Sequence, residues 1–465
     1  MAGDKRDNPF LVKLIALYLQ AETDIINELV RLRGLGLADY HAEAALQRVQ
    51  RILDKMQSES FVYIPQMIER EFYVHHPEAR NVPETAAKHQ AAYNNALSIG
   101  QAAIVEQLAA NAQAEVLQAG RTVRQTLESA LIGRREPDAF ARVGRELVAY
   151  NQVRGLNAFQ SVGDFVAALQ QQGITAFVDK AGRRWSLHAY CSMAMRTTRR
   201  QAEIAAVLTA DPEQDLYKIS SHSTTCPLCA PYEGRVYSRS GTDPDFPPLA
   251  AAFGKVDPDG PDDLSNSWLN IHPNCLHVLL PWTDAGMSEA EVAELKRKSS
   301  FVTNPPDIDP RTEKQRRRYR EQQQARRREL DTYKQWERYR LALGDKVPKG
   351  WETFARHKKA NDEVYQKWRR EYRLFNKTQS FQPLIGQTTI NGIEIGGISQ
   401  HFVERAISRN FSAEAVAKAL QNPLKIGTIK TDENGGQSQR FTSDEAAVVI
   451  NSVTGKLITG WRTRK

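Results

Sequence analysis

The feature that most constrains the fold of this chain is a cluster of cysteine and histidine residues near its middle. Three of the four cysteines and three of the ten histidines of the 465-residue sequence fall in one window. The cluster reads His222-x3-Cys226-x2-Cys229 and then His272-x2-Cys275-x-His277. A Cys-x2-Cys knuckle completed by a second pair from a distant turn is the ligand pattern of tetrahedral zinc, and thiolate with imidazole favours zinc over magnesium or calcium. The surrounding residues 216–300 are rich in Pro, Gly, Asp and Ser, and loops of this length need such a centre to hold them.

Six side chains compete for the four places around a zinc ion. We expect the ligands to be Cys226, Cys229, His272 and Cys275, with His277 or His222 as a substitute or as a partner of a ligand. Glu233 is the only acidic residue near the knuckle, and a catalytic zinc would need a poised acid or base, so the prediction is a structural zinc. The alternative is a set of reduced, buried cysteines with surface histidines.

The rest of the sequence predicts a multidomain protein with mainly helical N-terminal and middle regions. Residues 1–215 carry apolar residues at spacings of three and four, as in Leu11, Leu14 and Ile15, and we assign them to a helical domain. No run of eighteen apolar residues occurs, so no membrane span is expected. The apolar stretch LVKLIALYL contains Lys13 and no cleavage site follows it, which indicates a helix of the mature protein instead of a signal peptide.

Residues 301–375 form a basic helical segment. Positions 311–373 contain 21 Lys and Arg against 10 Asp and Glu, a local net charge of +11 that exceeds the +8 of the whole chain. A helix that is polar nearly all round is solvated, bridges domains or lies on a charged partner. Four aromatic residues, Tyr319, Tyr333, Trp336 and Tyr339, interleave with the bases and could dock the helix on protein or nucleic acid. A solvated spacer and a contact with DNA or RNA remain open, and VPKG at 347–350 should separate two helices.

Residues 376–396 are rich in Gly and Thr and are predicted to be a linker to a small α+β domain at 397–465. Two helices should cover Ser399 to Asn410 and SAEAVAKALQ, the second capped by Ser412. Four strands should follow, LKIGTIK, QSQRFT, AAVVIN and KLITGWR, separated by turn residues. The expected domain is two helices on a four-stranded antiparallel sheet.

The central sequence resembles a family of phage proteins. KISSHSTTCPLCAPYEGRVYS and HPNCLHVLLPW, with the basic run DPRTEKQRRRYREQQQARRRELDTYKQW, are similar to the zinc-knuckle region of MuF-type and related phage minor capsid (minor head) proteins. The resemblance covers roughly residues 190–375. It implies a protein of the phage head interior, present in few copies near the portal, with the portal and other capsid proteins as partners and phage DNA beside the basic helices.

The C-terminal sequence resembles a different family. SQHFVERAISRNFSAEAVAKALQNPL with a meander ending in GKLITGW is similar to the barnase–EndoU–colicin E5/D–RelE (BECR) toxins. This implies a metal-independent ribonuclease that acts on host RNA or tRNA in the bacterial cytoplasm, with an immunity protein as a further partner.

Metal-independent RNA cleavage needs a proton-transfer group and cations for the phosphorane. His401, Arg405 and Arg409 share one helix face by their spacing, and an imidazole titrates near neutrality. We expect His401, Arg405 and, by resemblance, Thr459 to be catalytic, with Arg409, Lys425 and Arg440 binding substrate. The alternative is a solvated helix face with ordinary surface arginines.

Three functions follow from these patterns. The first is a minor capsid protein that carries a ribonuclease toxin domain into the host. The second is a non-enzymatic head-completion or DNA-associated protein whose C-terminal domain is a binding module. The third, a free zinc-dependent nucleic-acid enzyme, is disfavoured because the knuckle lacks a poised acid.

Overall fold

The computed structural model describes residues 8–35, 39–75, 97–132, 175–178, 182, 184–222 and 224–463. It divides into two compact units. The first comprises residues 1–24, 49–125 and 174–330, and the second comprises residues 25–48, 126–173 and 331–465.

Long helices dominate the N-terminal part, as the apolar spacing predicts. They are α1 (Pro9–Leu35), α2 (Asp39–His75) and α3 (Ile99–Ile132), followed by α4 (Leu187–Ala210). Asn8 caps α1, because its Oδ1 accepts hydrogen bonds from the backbone N–H groups of Phe10 and Leu11. A short antiparallel hairpin, β1 (Thr175–Val178) with β2 (Arg184–Ser186), precedes α4 and was not predicted.

A three-stranded antiparallel sheet forms the core of residues 216–300. Its strands are β3 (Leu216–Ile219), β4 (Val236–Ser238) and β5 (Leu279–Pro281), in the order β4-β3-β5. Tyr217, Tyr237 and Leu279 from these strands share one buried cluster with Ile204 of α4. Helix α5 (Glu289–Ser299) follows and begins with a capping box between Ser288 and Glu291. The sheet therefore fixes the ends of the long loops that connect its strands.

The basic segment is helical, with α6 (Glu313–Leu343), α7 (Trp351–Ala360) and α8 (Glu363–Ser380). The helices separate at VPKG, as predicted. The second half of α6 packs with α7 and α8 around an aromatic cluster in which Trp336 and Phe354 are fully buried. Phe354 stacks on Trp368 with ring centroids 5.4 Å apart. Tyr333, Trp336 and Tyr339 are buried in this cluster, so they dock the second half of α6 on α7 and α8 of the same chain.

The C-terminal domain has two helices, α9 (Gln400–Arg409) and α10 (Ala413–Gln421), as predicted. Its sheet has six strands where four were predicted: β6 (Gly397–Ile398), β7 (Lys425–Ile426), β8 (Lys430–Thr431), β9 (Gln437–Thr442), β10 (Ala446–Asn451) and β11 (Lys456–Arg462). The order is β6-β11-β10-β9-β7, with β8 also pairing with β9. The additional strands arise because LKIGTIK forms both β7 and β8, and because β6 pairs parallel to β11. Two-residue strands are too short for an alternating pattern to show them.

Residues 376–396 contribute to the core of this domain. Phe381, Leu384 and Ile395 are buried in the same cluster as Phe402 of α9 and Val448 of β10. Ile395 also exchanges backbone hydrogen bonds with residues 386 and 387. The segment that the composition marks as a linker therefore packs as part of the folded domain.

Candidate metal centre

Two turns of the first unit bring the cysteines and histidines together. The knuckle follows β3, and its turn is closed by hydrogen bonds from Ala230 N to Cys226 O and from Cys229 N to Cys226 Sγ. The second turn precedes β5, where Cys275 N bonds to His272 O. Asn274 takes a positive φ of 62° in that turn, a conformation that asparagine tolerates better than most residues. Because β3 and β5 are neighbours, the two turns face each other.

The side chains of the predicted ligands are in contact. His272 Nε2 lies 3.1 Å from Cys226 Sγ and 3.0 Å from Cys229 Sγ. Cys229 Sγ lies 3.7 Å from Cys275 Sγ, close to the edge of about 3.8 Å that Zn–S bonds of about 2.3 Å give in a tetrahedron. His272 Nδ1 is 2.6 Å from Pro273 O, so Nδ1 carries the proton and Nε2 is left with a lone pair for a metal.

His277 occupies a second position beside the same centre. Its Nδ1 is 3.3 Å from Cys275 Sγ, and its Nε2 is 2.5 Å from Glu233 Oε1. Ligand atoms therefore form two overlapping groups that share Cys229, one with Cys226 and His272 and the other with Cys275 and His277. His277 fits either role foreseen for it, as a ligand or as a hydrogen-bond partner of Cys275.

His222 is turned to other partners. Its Nε2 lies 3.2 Å from Ser220 Oγ, and its backbone N–H donates to Glu233 Oε1 at 2.8 Å. Its ring meets the ring of His277 edge-on, with centroids 4.6 Å apart. The structure thus places His222 next to His277 and outside both groups of ligand atoms.

The electrostatics of the cluster favour a bound cation. Hydrogen bonds from Cys229, above all, lower the pKa of Cys226 and of Cys275 to about 4 each. The same two contacts, with Cys226 and with Cys275, raise the pKa of Cys229. Burial alone would lower the pKa of His277, but its bonds to Cys275 and Glu233 raise it to about 9. Concentrated thiolate charge in a buried place is stabilised when a soft divalent cation replaces the thiol proton.

The donor set therefore fits zinc. Three sulfurs and two imidazole nitrogens from two turns lie in two overlapping groups that share Cys229, and Cys229 and Cys275 are buried. The sequence did not reveal the contact between Glu233 and His277, because these residues are 44 positions apart. The fourth cysteine, Cys191, is buried in α4 and belongs to neither group of ligand atoms.

A second group of ligand-type residues lies in the first unit, and its charges are already balanced. Glu71, His75 and Glu203 have ligand atoms within 4.8 Å of one another. Arg199 bonds Glu71 at 2.9 Å, and Arg200 pairs with Glu203 at 2.5 Å. Two guanidinium groups thus neutralise the two carboxylates, and we interpret the group as a buried ion-pair network.

The structure divides the residues predicted for RNA cleavage between two places. Arg405 Nε donates to His401 Nε2 at 3.4 Å on the exposed side of α9. Arg409 follows one turn later and donates to Gly460 O at 3.2 Å. Gly460 itself faces α9, since a Cβ there would meet Phe402 and Phe411 at 3.3 and 3.0 Å.

Thr459 points to the opposite side of the sheet, because successive side chains of a strand alternate between faces. Thr459 and Arg440 both pair with Val449 of β10, so they share that side. Lys425 pairs with Thr442, and both Lys425 and Trp461 lie on the same side of the sheet as Thr459. We call this side, defined by Lys425, Arg440, Thr459 and Trp461, the outer face. Thr459, which was expected to be catalytic together with His401 and Arg405, therefore lies on the opposite side of the sheet from them.

Comparison with known proteins gives the class of the molecule. A family model of phage minor capsid proteins matches residues 4–360, which include the Cys/His centre but not the C-terminal domain. The protein is therefore a phage head protein. Within that class, the chain belongs to the family described as phage minor capsid protein 2. No curated protein and no solved structure matches it. In the part of the chain that the structure describes, no helix is long and apolar enough to cross a membrane.

Proposed function

We propose that this minor capsid protein holds a structural zinc ion through Cys226, Cys229, His272 and Cys275, and acts near the portal inside the phage head. The observation that carries the proposal is the contact of His272 with Cys226 and Cys229, and of Cys229 with Cys275, between two turns next to one sheet, with His272 Nδ1 bonded to Pro273 O. Zinc bound here would supply folding free energy to loops that have little regular structure of their own.

The test is the zinc content of the full-length protein after dialysis against a weak chelator. The wild type should retain one zinc per chain, and Cys226→Ala should lose it. Cys191→Ala is the matched control, because Cys191 is buried outside the cluster and its removal should leave zinc in place. A zinc-free wild type, or equal zinc in Cys226→Ala, would reject the site.

We also propose that the first half of α6 lies against phage DNA. Arg318, Arg326 and Arg327 are exposed there, and no ion pair with a described residue is found for them. Such arginines suit non-specific phosphate contact, for which each contact contributes roughly −0.9 to the slope of log affinity against log salt.

The double variant Arg318→Glu with Arg327→Glu should bind duplex DNA more weakly and with a shallower slope. The Arg→Lys pair at the same positions keeps the charge and should bind nearly as well. DNA affinity that is equal in all three proteins, or absent at low salt, would leave α6 as a spacer.

A second function is proposed for the C-terminal domain, as a metal-independent ribonuclease toxin aimed at host RNA or tRNA and held in check by an immunity protein. Its outer face supports this, because cations, hydroxyls and an indole lie on one open side of a sheet. Stacking on an aromatic ring with nearby cations is how single-stranded nucleic acid is bound without a sequence code. The competing proposal is a binding module that uses the same face without cleavage.

Two variants separate the two groups of candidate residues. If His401 and Arg405 cleave RNA, His401→Ala should reduce the rate by about two to four orders of magnitude. If the outer face holds the substrate, Arg440→Ala should weaken RNA binding. Lys418→Ala on α10 is the control, since Lys418 pairs with Asp444 and Glu445 away from both groups. Binding without cleavage by the wild type would favour the binding module, and neither binding nor cleavage would reject both.

A further inference from the structure

Arg311 lies between the candidate metal centre and the N-terminal end of α6. Its Nη1 donates to Thr225 O at 3.1 Å, and its Nε and Nη2 donate to the two oxygens of Asp309 at 2.9 and 2.8 Å. The guanidinium carbon is 5.4 Å from the centroid of the Tyr319 ring on α6. Only 8% of the side chain is exposed. The guanidinium thus touches the knuckle, the preceding loop and the helix at once.

The Thr225 carbonyl, which accepts the hydrogen bond from Arg311, belongs to the knuckle. Thr225 directly precedes Cys226 and is buried, and Cys226 O accepts the hydrogen bond from Ala230 N that closes the turn. The direction of the Thr225 carbonyl is therefore set by the same backbone that aims Cys226 Sγ at His272. Ligation of Cys226 would restrain this carbonyl, and loss of the metal would release it.

The position of Arg311 also determines where α6 begins. The next residue, Thr312, caps the helix: its Oγ1 accepts from Gln315 N at 3.3 Å, and its N–H donates to Gln315 Oε1 at 2.8 Å. Upstream, Arg235 holds Asn304 O at 2.7 Å, so one end of the loop is tied to the sheet. Arg311 ties the other end, immediately before the arginine-rich half of α6.

We propose that Arg311 couples the metal centre to α6, so that zinc binding holds residues 313–330 on the first unit for contact with phosphate-bearing nucleic acid. The inference rests on the proposed zinc site. Coupling is reciprocal, so if zinc protects this half of α6 through Arg311, removing Arg311 must weaken zinc binding by the same factor.

The experiment is hydrogen exchange of the full-length protein, read over residues 313–330, with zinc content measured on the same samples. Chelation should speed exchange in this segment by about fivefold or more. Arg311→Ala should do the same while zinc is kept in excess. Arg311→Lys should resemble Arg311→Ala, because an ammonium group cannot reproduce the planar fork on Asp309 and Thr225. Gln324→Ala, at an exposed position of the same helix, is the control and should exchange like the wild type.

The outcomes separate this inference from the zinc site beneath it. A zinc-loaded Arg311→Ala protein with unchanged exchange and unchanged zinc affinity would overturn the coupling and leave the zinc site standing. A wild-type protein that holds no zinc would reject the zinc site, and the coupling would be rejected with it. If Arg311→Ala speeds exchange over the whole first unit, the Arg311→Lys variant decides. Faster exchange confined to residues 313–330 in Arg311→Lys supports the coupling, and any other pattern rejects it.

Discussion

Glu233 connects three parts of the candidate metal centre through one carboxylate. Its Oε1 accepts from the backbone of His222 and from His277 Nε2, and His277 in turn meets Cys275 Sγ. Such a carboxylate fixes the orientation of an imidazole and the proton that it carries, whether the imidazole ligates a metal or bonds to a ligand. Glu233 is therefore a positioning residue.

Replacing Glu233 by glutamine should weaken metal binding without removing any ligand. The variant keeps the size of the side chain but loses its charge, and changes of this kind cost about 10–100-fold in metal affinity. Competition with a coloured chelator measures the affinity directly. Glu213→Gln, at an exposed carboxylate outside the centre, should bind zinc like the wild type. Equal affinity in both variants would show that Glu233 does not position the ligands.

The sequence could predict the cysteines and histidines because such ligand types are rare and their spacing is diagnostic. The spacing could not show how His272 and His277 would be held, since both lie within three residues of Cys275. In the structure, Pro273 O lies at one ring nitrogen of His272 and Glu233 at one ring nitrogen of His277, and the other nitrogen of each ring faces a cysteine sulfur. Arg311 and Thr225 are 86 positions apart, and no local pattern connects them.

Helix α6 consists of two chemically different halves. Its first half exposes arginines, whereas its second half buries Trp336, whose Nε1 donates to Pro348 O at 2.9 Å. Composition alone marked the whole helix as polar all round. The three-residue spacing of Tyr333, Trp336 and Tyr339 is the stripe that shows the buried side, and the charges around it obscured that signal.

Trp336→Ala should destabilise the second unit strongly. Truncating a fully buried aromatic side chain typically costs about 3–5 kcal/mol, because transfer energy is lost and a cavity remains. Urea denaturation followed through the remaining tryptophans and by circular dichroism would measure the loss. Lys334→Ala, at an exposed position of the same turn, should change the unfolding free energy by less than about 0.5 kcal/mol. A small effect of Trp336→Ala would mean that the aromatic cluster does not support this unit.

The C-terminal sheet is a second place where the sequence predicted the elements but not how they pack. The sequence predicted the helices and strands of this domain, and His401 and Arg405 do meet on α9. It did not tell which side of the sheet the helices cover. That side is fixed by Gly460, whose missing side chain admits Phe402 and Phe411. Thr459, one residue earlier, is therefore directed away from His401.

At the scale of the whole molecule, the folding unit of the C-terminal domain extends beyond the α+β pattern seen in the sequence. Phe381, Leu384 and Ile395 are all at most 3% exposed in its core, yet they precede residue 397. Full burial of one such side chain contributes about 1.5–3 kcal/mol. Three of them together contribute about 4.5–9 kcal/mol, as much as or more than the roughly 3–5 kcal/mol that a core of about 70 residues supplies.

A fragment of residues 376–465 should therefore fold alone, and a fragment of residues 397–465 should not. The longer fragment should unfold cooperatively in urea and give dispersed amide resonances, whereas the shorter one should show neither. Phe381→Ala with Leu384→Ala in the longer fragment tests whether side chains or length decide, and it should unfold like the shorter fragment. Cooperative unfolding of residues 397–465 at the same midpoint would assign residues 376–396 to a linker after all. Because toxicity and RNA cleavage can be judged only in a folded fragment, an inactive 397–465 fragment would not count against the ribonuclease, but an inactive 376–465 fragment would.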